Sequence, residues 1–437
     1  MTKRARPPPA PEPRTLHIDD LAPGGMGVAH VKVSTGEDTR AVFVPRVAIG
    51  DEVEALVDFS LRPARGRVLR LVAEGKGRVP APCAYAETCG ACDWLHLSRE
   101  AQRVARESHI SRAVPASMSH VPVTMHDAIP SLGYRTRARL HLRASGGRAI
   151  LGPNGVGSHD VVDIEKCVVL HPTLDAALPR VSALLEGAHA TGEVSLALGK
   201  GGKAVLELRW EGRLPAIVFG RMERAVADGM LAGANLYEAG SERPAVIGDA
   251  SPEMIGADGA LLRLAPGGFA QASEEGNREL GDRVLDLARQ GGPPSRVVEL
   301  YAGAGNFTVL LARAFEQVVA VESNERACEA ARQNLAARGL KAKVTCADAD
   351  DFPLPPKTDL VVLDPPRRGA RNPCVALAAS SVKAIVYVSC DPPTLGRDLE
   401  ILAERFDLVA LESFAMFPGT SHSETVALLR RKRRETR

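Results

Sequence analysis

The chain has 437 residues, a formal net charge of +2, and 45% hydrophobic and 25% charged residues. That balance is ordinary for a soluble globular protein, gives length for about three domains, and excludes a polycation. No apolar run approaches the roughly eighteen residues of a membrane span. The basic, proline-rich start (Lys3, Arg4, Arg6, then Pro7, Pro8 and Pro9) lacks the apolar stretch of a secretory signal.

Residues 1–14 read as a disordered basic arm. Over 15–73, short alternating runs at 15–18, 27–33, 40–44, 52–59 and 66–72 are broken by turn signals such as Pro23-Gly24-Gly25 and Ile49-Gly50-Asp51. The spacing predicts five strands in a small OB-like β-barrel, a frequent nucleic-acid platform, with a structural appendage as the alternative. A second segment, 74–265, opens with Cys83, Cys89 and Cys92, continues through a helix near 98–114, and is β-rich from about 120. Cys167 stands alone downstream. Cysteines crowded in one place and scattered elsewhere suit a reducing cytoplasm and a metal site better than a disulfide scaffold. Arg135, Arg137, Arg139 and Arg143 fall on alternate positions of one run, which predicts either a positive strand face or a solvated edge strand. The basic run Arg430 to Arg434 reads as a solvated tail compatible with phosphate contacts.

From 266 to the end the periods change. Helices are expected at 274–290, 307–315, 324–338 and near 373–380, and strands at 297–300, 318–321, 342–346, 360–363 and 384–388. Such alternation builds a parallel sheet with helical crossovers, whose carboxyl strand ends bind ligands. Gly303-Ala304-Gly305 follows the first strand and lets backbone approach a ligand closely. Glu322, about twenty residues on, is placed to accept from ribose hydroxyls. Asp348 ends the third strand and could sit beside an adenine. A third glycine is missing, since Thr308 occupies its place. That favours S-adenosylmethionine, which has no pyrophosphate, over a dinucleotide.

Two further strand ends carry chemistry. In Asp364-Pro365-Pro366 the prolines fix φ and present the carboxylate rigidly. Amino-methyltransferases with this tripeptide usually follow it with an aromatic, where Arg367 stands here. Cys390, in Ser389-Cys390-Asp391-Pro392, is either a buried small hydrophobe or a reactive thiol whose pKa a helix N-terminus or a cation could lower. A thiol beside S-adenosylmethionine suggests activation of a poor carbon nucleophile such as uracil C5. The thiolate adds at C6, C5 takes the methyl group, and a base removes the C5 proton. Glu424 is the best candidate for that base, and His422 is its rival.

Jointly these segments resemble the RNA uracil-C5 methyltransferase family, in the version with a TRAM domain and an iron–sulfur cluster. The match spans nearly the whole chain. It rests on Asp20 to Ala29 with Pro23-Gly24-Gly25, on Cys83, Cys89-Gly90, Cys92 and Trp94, and on Tyr134-Arg135. It continues through Val162 to Cys167, Phe269-Ala270-Gln271, Gly303, Gly305-Asn306-Phe307-Thr308, Asp364-Pro365-Pro366-Arg367, Ser389-Cys390, and Phe417-Pro418 with Glu424. The resemblance implies a Rossmann-like class I methyltransferase domain at 266–437, behind the barrel and a β-rich central domain. It implies that Cys390 is the C6 nucleophile and Glu424 the C5-proton base. Gln271, Tyr301, Gly303, Gly305, Asn306, Glu322, Asp348 and Asp364 would line the cofactor pocket. Cys83, Cys89, Cys92 and Cys167 would hold a [4Fe–4S] cluster, although spacing alone does not exclude structural zinc.

The implied substrate is a flipped-out uridine of 23S ribosomal RNA, methylated by a cytoplasmic monomer. The alternatives are the transfer-RNA T-loop uridine and a non-catalytic RNA-binding assembly factor. The chain departs from the family pattern at Asp391 for asparagine, Ser273 for asparagine, Ala302 for cysteine, Glu299 for aspartate and Ala415 for an acid. Asp391 matters most, because a carboxylate beside the thiol would raise its pKa.

Overall fold

The computed structural model describes residues 10–32, 39–127, 130–265, 268–269, 271–290 and 295–433. The first nine residues of the expected arm, Val33, Ala270 and Arg434 lie outside them. The chain divides into two compact units, and the division differs from the three segments expected above. The first unit runs through His109 and includes Gly155–Ser158 and Pro418–Ser421, so the cysteine-rich loop groups with the barrel segment. The second contains the rest, including both the central segment and the α/β segment.

In the first unit, β1 (Glu12–His17), β2 (Asp20–Leu21), β3 (Gly27–Lys32), β4 (Thr39–Val44), β5 (Glu52–Asp58) and β6 (Ala64–Ala73) form one curled sheet, ordered β1-β5-β6-β4-β3-β2. The arm expected over 1–14 is therefore shorter, because Glu12 already pairs with Val57 of β5. Alternation sends Val53, Ala55 and Val57 inward onto Leu16, Ile18, Val42 and Val44. Each such buried aliphatic stabilises by about 1.5–3 kcal/mol. Gly25 has φ +86°, and a Cβ there would collide with the Asp93 side chain. The same residue's carbonyl accepts from Trp94 Nε1 at 3.1 Å, so the glycine turn and the tryptophan after the cysteines are one packing device. Helix α1 (Arg99–Ala113) follows.

The second unit contains two large sheets. The central one comprises β8 (Arg137–Ser145), β9 (Arg148–Gly152), β10 (Ala190–Leu198), β11 (Ala204–Trp210), β12 (Leu231–Glu238) and β13 (Ala245–Gly248), ordered β13-β12-β11-β10-β8-β9. β8 is therefore an interior strand, which removes the edge-strand reading of its arginines. Helices α2 (Pro172–Leu185) and α3 (Ala216–Ala227), not anticipated from sequence, bury Leu174, Leu178, Val181, Val218 and Met222. A hairpin, β14 (Glu253–Ile255) and β15 (Leu261–Arg263), leads into the α/β segment.

There α4 (Glu274–Gln290) precedes β16 (Val297–Leu300), α5 (Thr308–Ala314), β17 (Val318–Glu322), α6 (Glu325–Ala336), β18 (Lys343–Cys346), β19 (Leu360–Leu363), α7 (Arg371–Ala379), β20 (Ala384–Ser389) and α8 (Pro392–Leu402). The chain ends in β21 (Phe406–Phe414) and β22 (Glu424–Arg431). The eight-stranded order is β18-β17-β16-β19-β20-β22-β21-β7, with β7 (Val123–His126) supplied by the central segment. Five strands run parallel, as expected; β22 is antiparallel to both β20 and β21, which the alternating pattern did not reveal. Val297, Leu360, Val362 and Val386 face Leu280, Val284 and Leu287 of α4, and the opposite face buries Val298, Val361, Ile385 and Tyr387. A sheet covered on both faces explains why these strands read as continuous apolar runs.

Candidate active site

The strand order reverses between β16 and β19: the chain moves outward through β17 and β18, then returns to β19 on the other side. The crevice at such a reversal is where open α/β sheets bind ligands. Tyr301 and Gly303 follow β16, Glu322 ends β17, Asp348 follows β18, Asp364 follows β19 and Cys390 follows β20. With Gln271 and Glu424, all of them line one cavity of about 970 Å³.

On one side of the cavity the backbone is shaped for close approach. Tyr301 adopts φ +64° and Gly303 φ +55°, and Gly303 N donates to Glu322 Oε2 at 3.0 Å. The Tyr301 hydroxyl donates to Asp350 Oδ1 at 2.9 Å, and Asp350 also accepts from Arg368 at 3.1 Å. Asp350 is thereby spent on the wall, while Asp348 lines the cavity. Among the described residues, Gln271 Oε1 is buried with no hydrogen-bond partner, as an acceptor awaiting a ligand would be. A rigid glycine turn, an acid at the next strand end and an orphan amide fit an adenosyl cofactor.

Gly305 and Asn306 are not in the cavity wall. A Cβ on Gly305, at φ +86°, would lie 3.2 Å from Ala331 Cβ, so this glycine serves the packing of α6. Asn306 Oδ1 accepts from Ala257 N at 3.0 Å and from Asn277 Nδ2 at 3.1 Å. Its side chain ties the β14–β15 connection to α4.

On the other side stand the thiol and the acids. Antiparallel pairing sets Ser389 of β20 opposite Thr425 of β22. One step further along that ladder Cys390 comes across from Glu424, on the same face of the sheet. Burial pushes the Cys390 thiol up to about 12, the Glu424 and Asp364 carboxylates add to the push, and Arg367 opposes it. The lowered thiol pKa considered from sequence is thus reversed. Burial also raises Asp364 to about 7. Burial and the Asp364 charge raise Glu424 well above the usual carboxylate range, and its Oε2 has no partner. Burial therefore makes both groups weaker acids than an exposed carboxyl. Arg367 donates to the His422 ring at 3.3 Å, and both line the cavity, as does Phe417, packed edge-on to His422. Asp391 spends its carboxylate as the N-cap of α8, accepting from Thr394 N at 3.0 Å, and it is the weakest of the acids acting on the thiol.

Comparison with known proteins agrees with this geometry. Residues 297–365 match the methyltransferase domain family, and residues 347–432 match the tRNA (Uracil-5-)-methyltransferase family. A 23S rRNA (uracil(1939)-C(5))-methyltransferase RlmD of Alkalilimnicola ehrlichii is 32% identical, covering 96% of this chain and 97% of that protein. The chain belongs to the RNA uracil-C5 methyltransferase family. The protein of the same name from Methylococcus capsulatus is 31% identical over 99% of this chain and 100% of its own length. The fold is also that of the Pyrococcus abyssi tRNA (uracil-54, C5)-methyltransferase solved with S-adenosyl-L-homocysteine, with TM-score 0.74, 22% identity, and coverage of 95% of this chain and 100% of that one.

Among uracil-C5 methyltransferase features, the departures at 273 and 299 are absorbed locally. Ser273 Oγ accepts from Gly276 N at 3.2 Å. Glu299 is 1% exposed, accepts from Thr308 Oγ1 at 2.5 Å, and is pushed up to about 8 by burial. The cysteines are less decisive. Cys83, Cys89 and Cys92 lie on a turn-rich loop of the first unit, where Arg46 donates to the carbonyls of Cys89 and Cys92. Cys167 belongs to the second unit, and its N–H donates to Asp175 at 2.6 Å. Among the described residues, no three His, Cys, Asp or Glu side chains converge as a metal-ion site. Sequence reasoning also passed over Glu207 as a cavity residue and over the lining role of Arg137. The signal was a period-two alternation of polar residues in 135–139 and 205–209.

Proposed function

We propose that the protein transfers a methyl group from S-adenosylmethionine to C5 of a uridine in 23S ribosomal RNA. The observation carrying this reading is the ladder that sets Cys390 across from Glu424 in the cavity that also holds Asp364, Gln271 and Glu322. Full-length relatives named for uridine 1939 of 23S RNA support that substrate. Transfer-RNA methylation rests on the family match over residues 347–432 and the fold likeness, and a non-catalytic RNA-binding role leaves the thiol and its facing acid without a task.

The sequence of steps follows from the residues. Cys390 Sγ, deprotonated, bonds to uracil C6, and the C5=C6 electron pair moves into the ring as an enolate. Asp364 is placed to hold a proton at the base's polar edge, and Gln271 Oε1 to accept from it. S-adenosylmethionine supplies the methyl group, which C5 captures as it forms its new carbon–carbon bond. Glu424 then takes the C5 proton, the C5=C6 bond re-forms, and the thiolate leaves. Tyr301, Gly303, Glu322 and Asp348 hold the cofactor; Gly305 and Asn306 shape that wall from behind.

The reading extends to Cys83, Cys89, Cys92 and Cys167 as ligands of a [4Fe–4S] cluster, for which a soft four-thiolate donor set is suited. No step of the reaction runs through it. The enzyme works as a monomer in the cytoplasm; none of its described helices is long and apolar enough to cross a membrane. The test uses anaerobically purified protein, methyl-labelled S-adenosylmethionine and size-fractionated unmodified RNA, with product nucleosides identified by mass spectrometry. Labelled 5-methyluridine in the large ribosomal RNA is expected. Label confined to transfer RNA would overturn the substrate, and no label anywhere would overturn the activity.

A further inference from the structure

The central sheet turns a polar face to the cavity that holds Cys390. Register sets Arg139, Ser195, Glu207 and Asn235 in one row across β8, β10, β11 and β12, with Arg137 in the next row. All five line the cavity. A sheet face bordering a closed space is ordinarily apolar, so these side chains call for a reason.

Glu207 is the sharpest case. It is 9% exposed, and its Oε1 accepts from Arg209 Nε at 2.9 Å, but among the described residues its Oε2 is buried without a hydrogen-bond partner. Asn235, 3% exposed, has Nδ2 turned to Ala250 O at 3.3 Å. Half-buried Arg137 ion-pairs with none of the described carboxylates; burial lowers its pKa and the Glu207 charge opposes that. A buried acceptor left unmade costs about 1–3 kcal/mol, so a ligand that satisfies it binds with that advantage.

A free acceptor and a free donor one row apart describe a ligand edge with a donor beside an acceptor. A phosphate would suit Arg137 and be repelled by Glu207. A nucleobase with an exocyclic amino group beside a ring acceptor suits both. Uracil flanks its single N–H with two carbonyl oxygens, one of which would meet the carboxylate. We propose that this arm of the cavity is a second nucleobase subsite, where Glu207 accepts from the amino group of a base near the target uridine and Arg137 donates to the adjacent acceptor. The proposal rests on the RNA methyltransferase reading and adds to it a specificity-determining pair outside the reacting atoms.

The test uses synthetic hairpins spanning uridine 1939 of 23S RNA. Each flanking amino-bearing base is replaced singly by its amino-free analogue: inosine for guanosine, purine riboside for adenosine, zebularine for cytidine. Initial rates with labelled S-adenosylmethionine are measured for wild type, Glu207→Leu and Glu207→Gln. At one position the replacement lowers wild-type kcat/KM about tenfold or more, the loss for one charge-assisted hydrogen bond in a buried site. Glu207→Leu loses that discrimination at that position alone, Glu207→Gln keeps part of it, and cofactor affinity stays within about twofold in both. Wild type methylating every amino-free hairpin within about twofold of the parent would overturn the subsite, whatever the variants do. Methylation of no hairpin, parent included, would overturn the underlying reading instead.

Discussion

Replacing Glu424 with glutamine separates the two halves of the proposed reaction. The side chain is 4% exposed and nearly isosteric with its replacement, so packing is preserved while the buried negative charge is lost. Burial is the main cause holding the Cys390 thiol at about 12, and the Glu424 charge comes next. Glutamine removes the second of those causes, so formation of the thiol–C6 bond is not slowed. Removal of the C5 proton loses its base, a contribution of about 10²–10⁴-fold. Turnover of Glu424→Gln therefore falls by that factor while the methylated RNA–protein adduct accumulates toward one per enzyme. Denaturing electrophoresis with labelled RNA, and mass spectrometry of the Cys390 peptide, read the adduct; single-turnover kinetics read its rise. Turnover within about threefold of wild type would refute the assignment. Lost turnover without adduct would place the role of Glu424 before C6 addition and refute it equally.

Cys390→Ala abolishes both turnover and adduct while retaining cofactor binding, measured by calorimetry. Asp391→Asn changes kcat by no more than about threefold, because asparagine caps a helix as well as aspartate and Asp391 is the weakest acid acting on the thiol. Asn306→Ala lowers stability by about 1–3 kcal/mol through loss of its bonds to Ala257 and Asn277, with cofactor affinity within about threefold; a large loss of affinity at unchanged melting temperature would restore Asn306 to the pocket. Glu299, raised to about 8 from a usual 4.5, favours the folded state fully below 4.5, and that contribution is lost as pH rises through about 8. Across that window wild type loses about 1.4 kcal/mol per pH unit from this group, up to ~5 kcal/mol, and Glu299→Gln flattens the trend. Parallel melting-temperature profiles for the two proteins from pH 5 to 9 would contradict it.

The parallel core was legible because each strand is a short apolar run ending in glycine, proline or a charge, as Leu360 to Leu363 ends in Asp364. Helix α4 was read to its bounds because Leu280, Val284 and Leu287 repeat at helical spacing between two acids and Arg289. The antiparallel β21 and β22 were not, since a fully buried run such as Val426 to Leu429 carries no direction. The recruitment of β7 to that sheet depends on tertiary pairing of Val123 with Leu411, which no local pattern encodes. That Glu322, Asp348 and Asp364 line one cavity was readable from their places at or just after strand ends. The partners of Asn306 were not legible, because a polar residue after a glycine turn can point toward the cavity or behind it, and its bonds to Ala257 and Asn277 are tertiary.

The electrostatics of the site follow from that same topology. Parallel strands bring Glu299, Glu322, Asp364 and, across the ladder, Glu424 toward one crevice. Asp364 and Glu322 both add to the rise at Glu299, and Asp364 adds to the rise at Glu424 and Cys390. Arg367 is the cation that opposes this at both Cys390 and Glu424. An acid-rich, buried crevice of this kind is unfavourable when empty and complementary to a ligand that carries positive charge. S-adenosylmethionine is a sulfonium cation, and a positive charge beside the thiol favours its ionised form. In the proposed reaction, a sulfonium held near these acids would therefore oppose the charges that raise the Cys390 thiol.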